Sequence, residues 1–266
     1  MNIFSFFAGA GFLDLGFELQ GHYNIVFVNE FHEAFNHIYR YARQYMGIAA
    51  PRYGHHVEDI TEYIDGQHSD RLQRLLEWVE ESKAEDLTGF IGGPPCPDFS
   101  VAGKNRGRDG ENGKLSGTYA QLICTALPDF FLFENVKGLY RTARHRAFFE
   151  ELKLKFRKSG YSLTEQLVNS LEFGAPQDRD RIILIGFRQD IAERLSINTE
   201  NGSLIGFPWD KYKIYKLDEI KGTKWPDKSP YNEGVETDIP KGIVEDLTVE
   251  HWWRINDVAH HPNEDM

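Results

Sequence analysis

Gly92-Gly93-Pro94-Pro95-Cys96-Pro97-Asp98-Phe99-Ser100 follows an apolar run from Leu87 to Ile91. The run has the length and composition of a buried strand. Paired glycines and paired prolines then stop it and hold a non-helical turn. The turn presents Cys96 at the strand's end, ahead of a polar, glycine-dotted segment from Val101 to Gly117. Open α/β sheets gather their chemistry at the carboxyl ends of parallel strands. A cysteine by itself reads more readily as a buried structural residue, because free Cys is among the most buried residue types. The flanking prolines, the loop and the other segments of the chain favour a functional thiol.

Upstream, Asn2 to Phe7 reads as a first buried strand. Ala8-Gly9-Ala10-Gly11 is a glycine turn, and Phe12 to Leu19 has helical apolar spacing. Strand, glycine turn and helix form the opening unit of a nucleotide-type site, although a plain tight turn has the same pattern. A second strand, Tyr23 to Asn29, ends in Glu30. A carboxylate there can accept hydrogen bonds from ribose hydroxyls, or can simply favour the start of the Phe31 to Tyr45 helix. His55-His56-Val57-Glu58-Asp59-Ile60 predicts a short third strand, with Asp59 placed to cap a turn or bind an adenine amino group. No third ligand accompanies His55 and His56, so no metal site is expected. Residues 67–83 form a charged amphipathic helix.

Downstream, Gly103 to Gly110 is rich in glycine and basic residues and could close over a phosphate backbone. Helix resumes from Leu115 to Leu127 and carries Cys124, expected to be buried and inert. Asp129 to Phe133 is a fifth strand that ends in Glu134-Asn135-Val136. An acid behind three phenylalanines is partly desolvated if it stays inside, which suits it to share a proton. A helix follows from Arg141 to Ser159, then strands Tyr161 to Asn169 and Ile182 to Gly186. Between those strands, Arg179 and Arg181 stand two apart at a strand entry and share a face. Two guanidiniums there can grip a carbonyl oxygen and a carboxylate together, or form surface ion pairs.

The 266 residues suit one large α/β domain with a small appendage, and two cysteines supply neither a disulfide framework nor a metal site. No apolar run is long enough for a membrane span and no signal peptide opens the chain, so a cytoplasmic setting is expected. The net charge of −11 argues against nucleic acid at first sight. Its distribution softens that argument. Residues 96–188 carry 15 basic against 11 acidic side chains, while the flanking segments are both acidic. The cysteine thus opens the one positively balanced segment, which permits an anionic substrate.

Phe6-Phe7-Ala8-Gly9-Ala10-Gly11, Pro94-Pro95-Cys96, Phe99-Ser100, Glu134-Asn135-Val136 and Gln177-x-Arg179-x-Arg181, in this order, resemble the cytosine-C5 DNA methyltransferases. The resemblance covers residues 1 to about 188, the expected catalytic and cofactor domain. Pro97 departs from the family's usual Gln. The resemblance implies a Rossmann-like S-adenosylmethionine-dependent methyltransferase fold with a mostly parallel, seven-strand sheet. It implies that Phe6, Ala8, Gly9 and Gly11 line the cofactor, with Asp14 near its methionine end and Pro94 beside it. Glu30 would bind the ribose, and Asp59 with Ile60 the adenine. Cys96 would be the nucleophile, Glu134 would hold the N3 side of a flipped cytosine, and Arg179 and Arg181 its O2 side. Double-stranded DNA would be the partner, within a restriction-modification system.

In that family a target-recognition region and a final Gly-Asn motif follow. Here 78 residues follow Arg188, without a Gly-Asn. Residues 189–266 are therefore expected to be the start of an incomplete recognition region, with the missing motif truncated or supplied by a second chain. A tRNA cytosine-5 methyltransferase, separated from the DNA enzymes by its use of 2′-hydroxyls, and a non-catalytic subunit are the rival readings. A nicotinamide-dependent dehydrogenase would leave the cysteine, Glu-Asn-Val and paired-arginine motifs unexplained.

Overall fold

The computed structural model describes residues 1–95, 111–140, 142–222 and 254. Cys96, the Gly103 to Gly110 loop, Arg141 and the aromatic segments at 224–226 and 251–253 lie outside the described residues. The chain divides into two compact units, Met1–Gln166 with Ile182–Phe207, and Leu167–Arg181 with Pro208–Met266.

The first unit is built on β1 (Asn2–Phe6), every residue of which is buried. It pairs in parallel with β2 (Asn24–Asn29) on one side and β4 (Thr88–Gly92) on the other. A strand flanked on both edges and covered on both faces needs a continuous apolar run rather than an alternating one, and Ile3-Phe4-Ser5-Phe6 supplies it. The rings of Phe4 and Phe6 lie 5.5 and 4.9 Å from Phe90 of β4, and Phe6 lies 5.6 Å from Tyr119. Such pairs contribute about 0.5–1.5 kcal/mol each beyond their area burial.

The order in the sheet is β3-β2-β1-β4-β5-β7-β6-β9-β8, with β3 (His55–His56), β5 (Phe130–Val136), β6 (Tyr161–Asn169), β7 (Asp180–Arg188), β8 (Thr199–Glu200) and β9 (Ser203–Leu204). The chain winds outward from β1 to β3, then returns to place β4 on β1's other edge. The crevice between β1 and β4 is thus a topological switch point, where open α/β sheets bind ligands. The helices are α1 (Phe12–Glu18), α2 (Glu33–Tyr45), α3 (Ser69–Glu85), α4 (Glu111–Ala126), α5 (Ala143–Lys158), α6 (Gln189–Arg194) and, in the second unit, α7 (Leu217–Gly222). None of the described helices is long and apolar enough to cross a membrane.

Four expectations are corrected. The third strand is confined to His55–His56, because the Asp59 side chain caps a 3-10 turn from Ile60 instead. Among the described residues the sheet has nine strands, not seven, because β8 and β9 form a hairpin on the β6 edge. Its two-residue turn is Asn201-Gly202, with positive φ of 48° and 71°. That pair is the strongest short-range hairpin pattern, because both central residues of such a turn must take left-handed conformations. Helix α4 starts at Glu111 rather than Leu115 and absorbs Gly113 and Gly117. Burial of Ser116, Tyr119, Ala120, Leu122 and Ile123 outweighs the helix cost of the glycines, about 1 kcal/mol each. Finally, β5 runs on to Val136, so Glu134 sits within the strand rather than after it.

Candidate active site

A cleft of about 870 Å³ opens at the carboxyl ends of β1 to β4. Phe7 and Gly9 enter it after β1, Asn29 to His32 after β2, and Glu58 to Thr61 after β3. Gly93 and Pro95 enter after β4, and Lys114 and Leu115 from α4. Glu30 is its fixed centre. One carboxylate oxygen accepts the Gly9 amide at 2.8 Å and the other accepts the His32 amide at 2.8 Å. An ionised carboxylate has about four lone-pair sites, so both oxygens can still accept a hydroxyl. Asn29 ties the ends of β2 and β3 together, donating to the carbonyls of His56 at 3.3 Å and Glu58 at 3.0 Å. Asp59 accepts the Thr61 amide at 2.9 Å and so caps the 3-10 turn Ile60–Tyr63. Phe31 and Phe35, 60% and 46% exposed, give the cleft an aromatic wall. Phe7 reaches it with a φ of +53°, a strained conformation for a bulky residue that costs about 1–3 kcal/mol.

Among the residues read from the sequence as a cofactor site, Gly9, Glu30, Asp59 and Ile60 line this cleft. The others surround it without lining it. Phe6 is 1% exposed and belongs to the aromatic core; strand alternation turns Phe7 to the cleft instead. Ala8 donates its amide to the Asn29 carbonyl at 3.2 Å. Pro94 is buried, and its carbonyl accepts from Asn135 Nδ2 at 3.5 Å. Gly11 caps α1 with a φ of +84°, and a Cβ there would come within 2.5 Å of Arg43 and Tyr39. Asp14 is fully buried, with Ser5 Oγ donating to one oxygen at 2.7 Å and Tyr39 Oη to the other at 2.8 Å. Burial raises its pKa to about 6, against the lowering effects of those hydrogen bonds and of Arg43. Asp14 thus ties α1 to Ser5 of β1 and Tyr39 of α2.

Glu134 is half-buried on β5. Gly93 makes room for it, since a Cβ at Gly93 would stand 2.7 Å from Glu134 Oε2. The carboxylate therefore lies against the residue at the rim of the cleft, three positions before Cys96. In the second unit, Gln177 to Arg181 is held by Asn169. Its side-chain amide donates to Asp178 at 2.6 Å and Asp180 at 2.9 Å, and its oxygen accepts the Leu171 amide at 3.0 Å. Residues 178 and 180 share one side of an extended chain, which leaves 179 and 181 to the opposite side. Sequence reasoning placed Phe7 within the lining turn without singling it out, and missed Phe31, Phe35 and Asn169. An exposed aromatic next to a strand-end acid, and an asparagine opening an Asn-x-x-Glu capping box, were the available patterns.

The site is thus an amide-bound carboxylate at the switch point of a doubly wound α/β sheet. Residues 1–256 match the C-5 cytosine-specific DNA methylases, and the chain belongs to that family. It is 47% identical over 262 residues to the Type II methyltransferase M.NmeDI of Neisseria meningitidis serogroup C, covering 98% of this chain and 58% of that protein. It is 34% identical over 192 residues to the Type II methyltransferase M.MthTI of Methanothermobacter thermautotrophicus, covering 72% of this chain and 50% of that protein. The chain thus spans about half the length of these curated relatives. A DNA modification methyltransferase encoded within a prophage of E. coli has the same fold, with a TM-score of 0.54 at 22% identity over 76% of this chain and 49% of that one.

Proposed function

We propose that this chain carries the cofactor-binding and catalytic portion of a DNA (cytosine-5)-methyltransferase of a restriction-modification system. The observation that carries the reading is Glu30, fixed by two backbone amides at the switch-point cleft, with β1 between its strand and β4, whose turn leads into Cys96. The cleft fits S-adenosylmethionine. Glu30 would accept the ribose hydroxyls, Phe31 would stack on the adenine, and Asp59 with Ile60 would hold its edge. When bound there, the sulfonium supplies an electrophilic methyl group.

The chain's own residues account for the rest. Cytosine C5 is a weak nucleophile. Addition of the Cys96 thiolate to C6 breaks the C5–C6 double bond and moves electron density to C5. Glu134 donates a hydrogen bond or proton to N3, which stabilises the charge that this addition places on the ring. By the family resemblance, Arg179 and Arg181 are the groups assigned to the O2 side of the cytosine. Loss of the C5 proton to a base then expels the Cys96 sulfur and restores the double bond. The target carbon lies inside a DNA duplex, so the cytosine is flipped out to reach Cys96.

The test is transfer of labelled methyl from S-adenosylmethionine to unmethylated DNA and, separately, to tRNA, with Cys96→Ser as control. Label recovered as 5-methylcytosine in DNA, and abolished in Cys96→Ser, is expected. Label in tRNA alone would overturn the DNA reading, and label retained by Cys96→Ser would overturn the nucleophile. Cofactor binding without transfer would favour a subunit completed by a second chain, identified by restoring transfer with that chain.

A further inference from the structure

We infer that Arg43 of α2 is a positioning residue that sets the glycine turn of the cofactor cleft from behind, held in place by Glu18 and Tyr39. The inference rests on the cofactor reading above and adds to it a residue outside the cleft lining. Arg43 is buried, 6% exposed, in the last turn of α2. Its guanidinium spends its donors on two sets of acceptors. Nη2 donates to the Gly11 carbonyl at 2.6 Å, and Nη1 to the Ala10 carbonyl at 3.4 Å. Nε and Nη2 donate to Glu18 Oε2 at 3.1 and 2.8 Å. The guanidinium carbon also lies 4.0 Å from the centre of the Tyr39 ring, and the Tyr39 hydroxyl donates to buried Asp14.

The turn's other anchors are largely backbone bonds, among them the Leu15 amide, which donates to the same Gly11 carbonyl at 2.9 Å. The Ala8 amide reaches the Asn29 carbonyl, the Gly11 amide closes on the Ala8 carbonyl at 2.8 Å, and the Gly9 amide donates to Glu30. Arg43 therefore holds the carbonyl end of a turn whose amide end holds the ribose-type carboxylate. Two peptide planes separate the two ends. Displacement of the Ala10–Gly11 peptide reaches the Gly9 amide through the φ and ψ of Gly9 and Ala10, the soft dihedrals between the two ends. Gly11 is required at this place because any Cβ would strike Arg43 Nη1 and the Tyr39 ring. Glu18 fixes the guanidinium plane, which a planar five-donor fork can satisfy together with two carbonyls and a lysine cannot.

Arg43→Met keeps the length and the packing on Tyr39 but removes every donor. Combining it with Glu18→Gln avoids a stranded buried charge. The double variant and Arg43→Lys are compared with the parent chain by two readouts. The first is the amide exchange rate and proton shift of Gly9 without cofactor. The second is the dissociation constant for S-adenosylhomocysteine by calorimetry. The inference expects Gly9 exchange to rise at least tenfold and its proton to move upfield in Arg43→Met/Glu18→Gln. It also expects affinity to fall at least tenfold, with Arg43→Lys intermediate in both. An unchanged Gly9 amide overturns the inference, including when the melting temperature drops, because a purely structural arginine would lower stability alone. A responsive Gly9 amide in a chain that binds no S-adenosylhomocysteine overturns the cofactor reading and leaves the clamp standing. Should the double variant fail to fold, Glu18→Gln alone, which frees the guanidinium plane, is read in the same way.

Discussion

Asp14 makes the stability of the first unit depend on pH in a direction opposite to that of most carboxylates. Its side chain is fully buried, and burial lifts its pKa from 3.8 to about 6. Between those values the folded chain holds a proton that the unfolded chain has released, so stability falls as pH rises through the window. A shift of about two units at about 1.36 kcal/mol each amounts to about 3 kcal/mol, lost in full above about pH 7. Asp14→Asn preserves the shape and meets the same two hydroxyls, accepting from one and donating to the other. The variant should therefore gain about 3 kcal/mol relative to the parent between about pH 4 and 7. His55 contributes the opposite slope, because burial lowers its pKa from 6.5 to about 4 and the unfolded chain then binds the extra proton. Only the difference between variant and parent isolates Asp14. Urea unfolding at half-unit pH steps measures that difference, and the Asp14 carboxyl carbon resonance gives the pKa directly. A difference curve flat to within about 1 kcal/mol, or a carboxyl that titrates near 4, would refute the reasoning.

Gly93→Ala places a methyl group 2.7 Å from Glu134 Oε2, at the flexible end of that side chain. Methyl transfer should fall about 10- to 100-fold while the melting temperature barely moves, since small misplacements at a reacting centre are costly in rate; a large drop in melting temperature with unchanged turnover would contradict this. Glu30→Ala removes the acceptor shared by the Gly9 and His32 amides. Calorimetry should show affinity for S-adenosylhomocysteine reduced by at least about tenfold, the loss expected when buried donors are left unmatched, and an unaltered constant would dismiss Glu30 from the site. Asn169→Ala removes the amide that joins Asp178 to Asp180. Trypsin should then cut after Arg179 or Arg181 about tenfold faster, by easier local opening; an unchanged digestion rate would show that the loop is held by other contacts.

Much of the fold was legible because parallel strands buried on both faces leave a strong local imprint. Asn2–Phe6, Asn24–Asn29, Thr88–Gly92 and Tyr161–Asn169 all lie within a residue or two of the apolar runs that announce them. Glu30 was legible for the same reason, since a strand end places its next residue at the crevice, whereas Gly9, Asp59 and Ile60 lie three or four residues past their strands. The hairpin at Asn201-Gly202 was present in the sequence and went unread because its strands are only two residues long.

The sequence by itself determined the order of strands and helices, the switch-point position of the glycine turn and the membership of a methylase family. Each rests on local apolar runs or on short motifs whose spacing survives without a partner. Tertiary structure decided which face each motif residue presents. It turned Phe7 rather than Phe6 into the cleft, buried Asp14 between Ser5 and Tyr39 and set Glu134 over Gly93. It also brought Arg43, 32 residues along the chain, onto the Gly11 carbonyl. The physical reason is that a side chain's direction depends on which neighbour covers it, and those neighbours are distant in sequence.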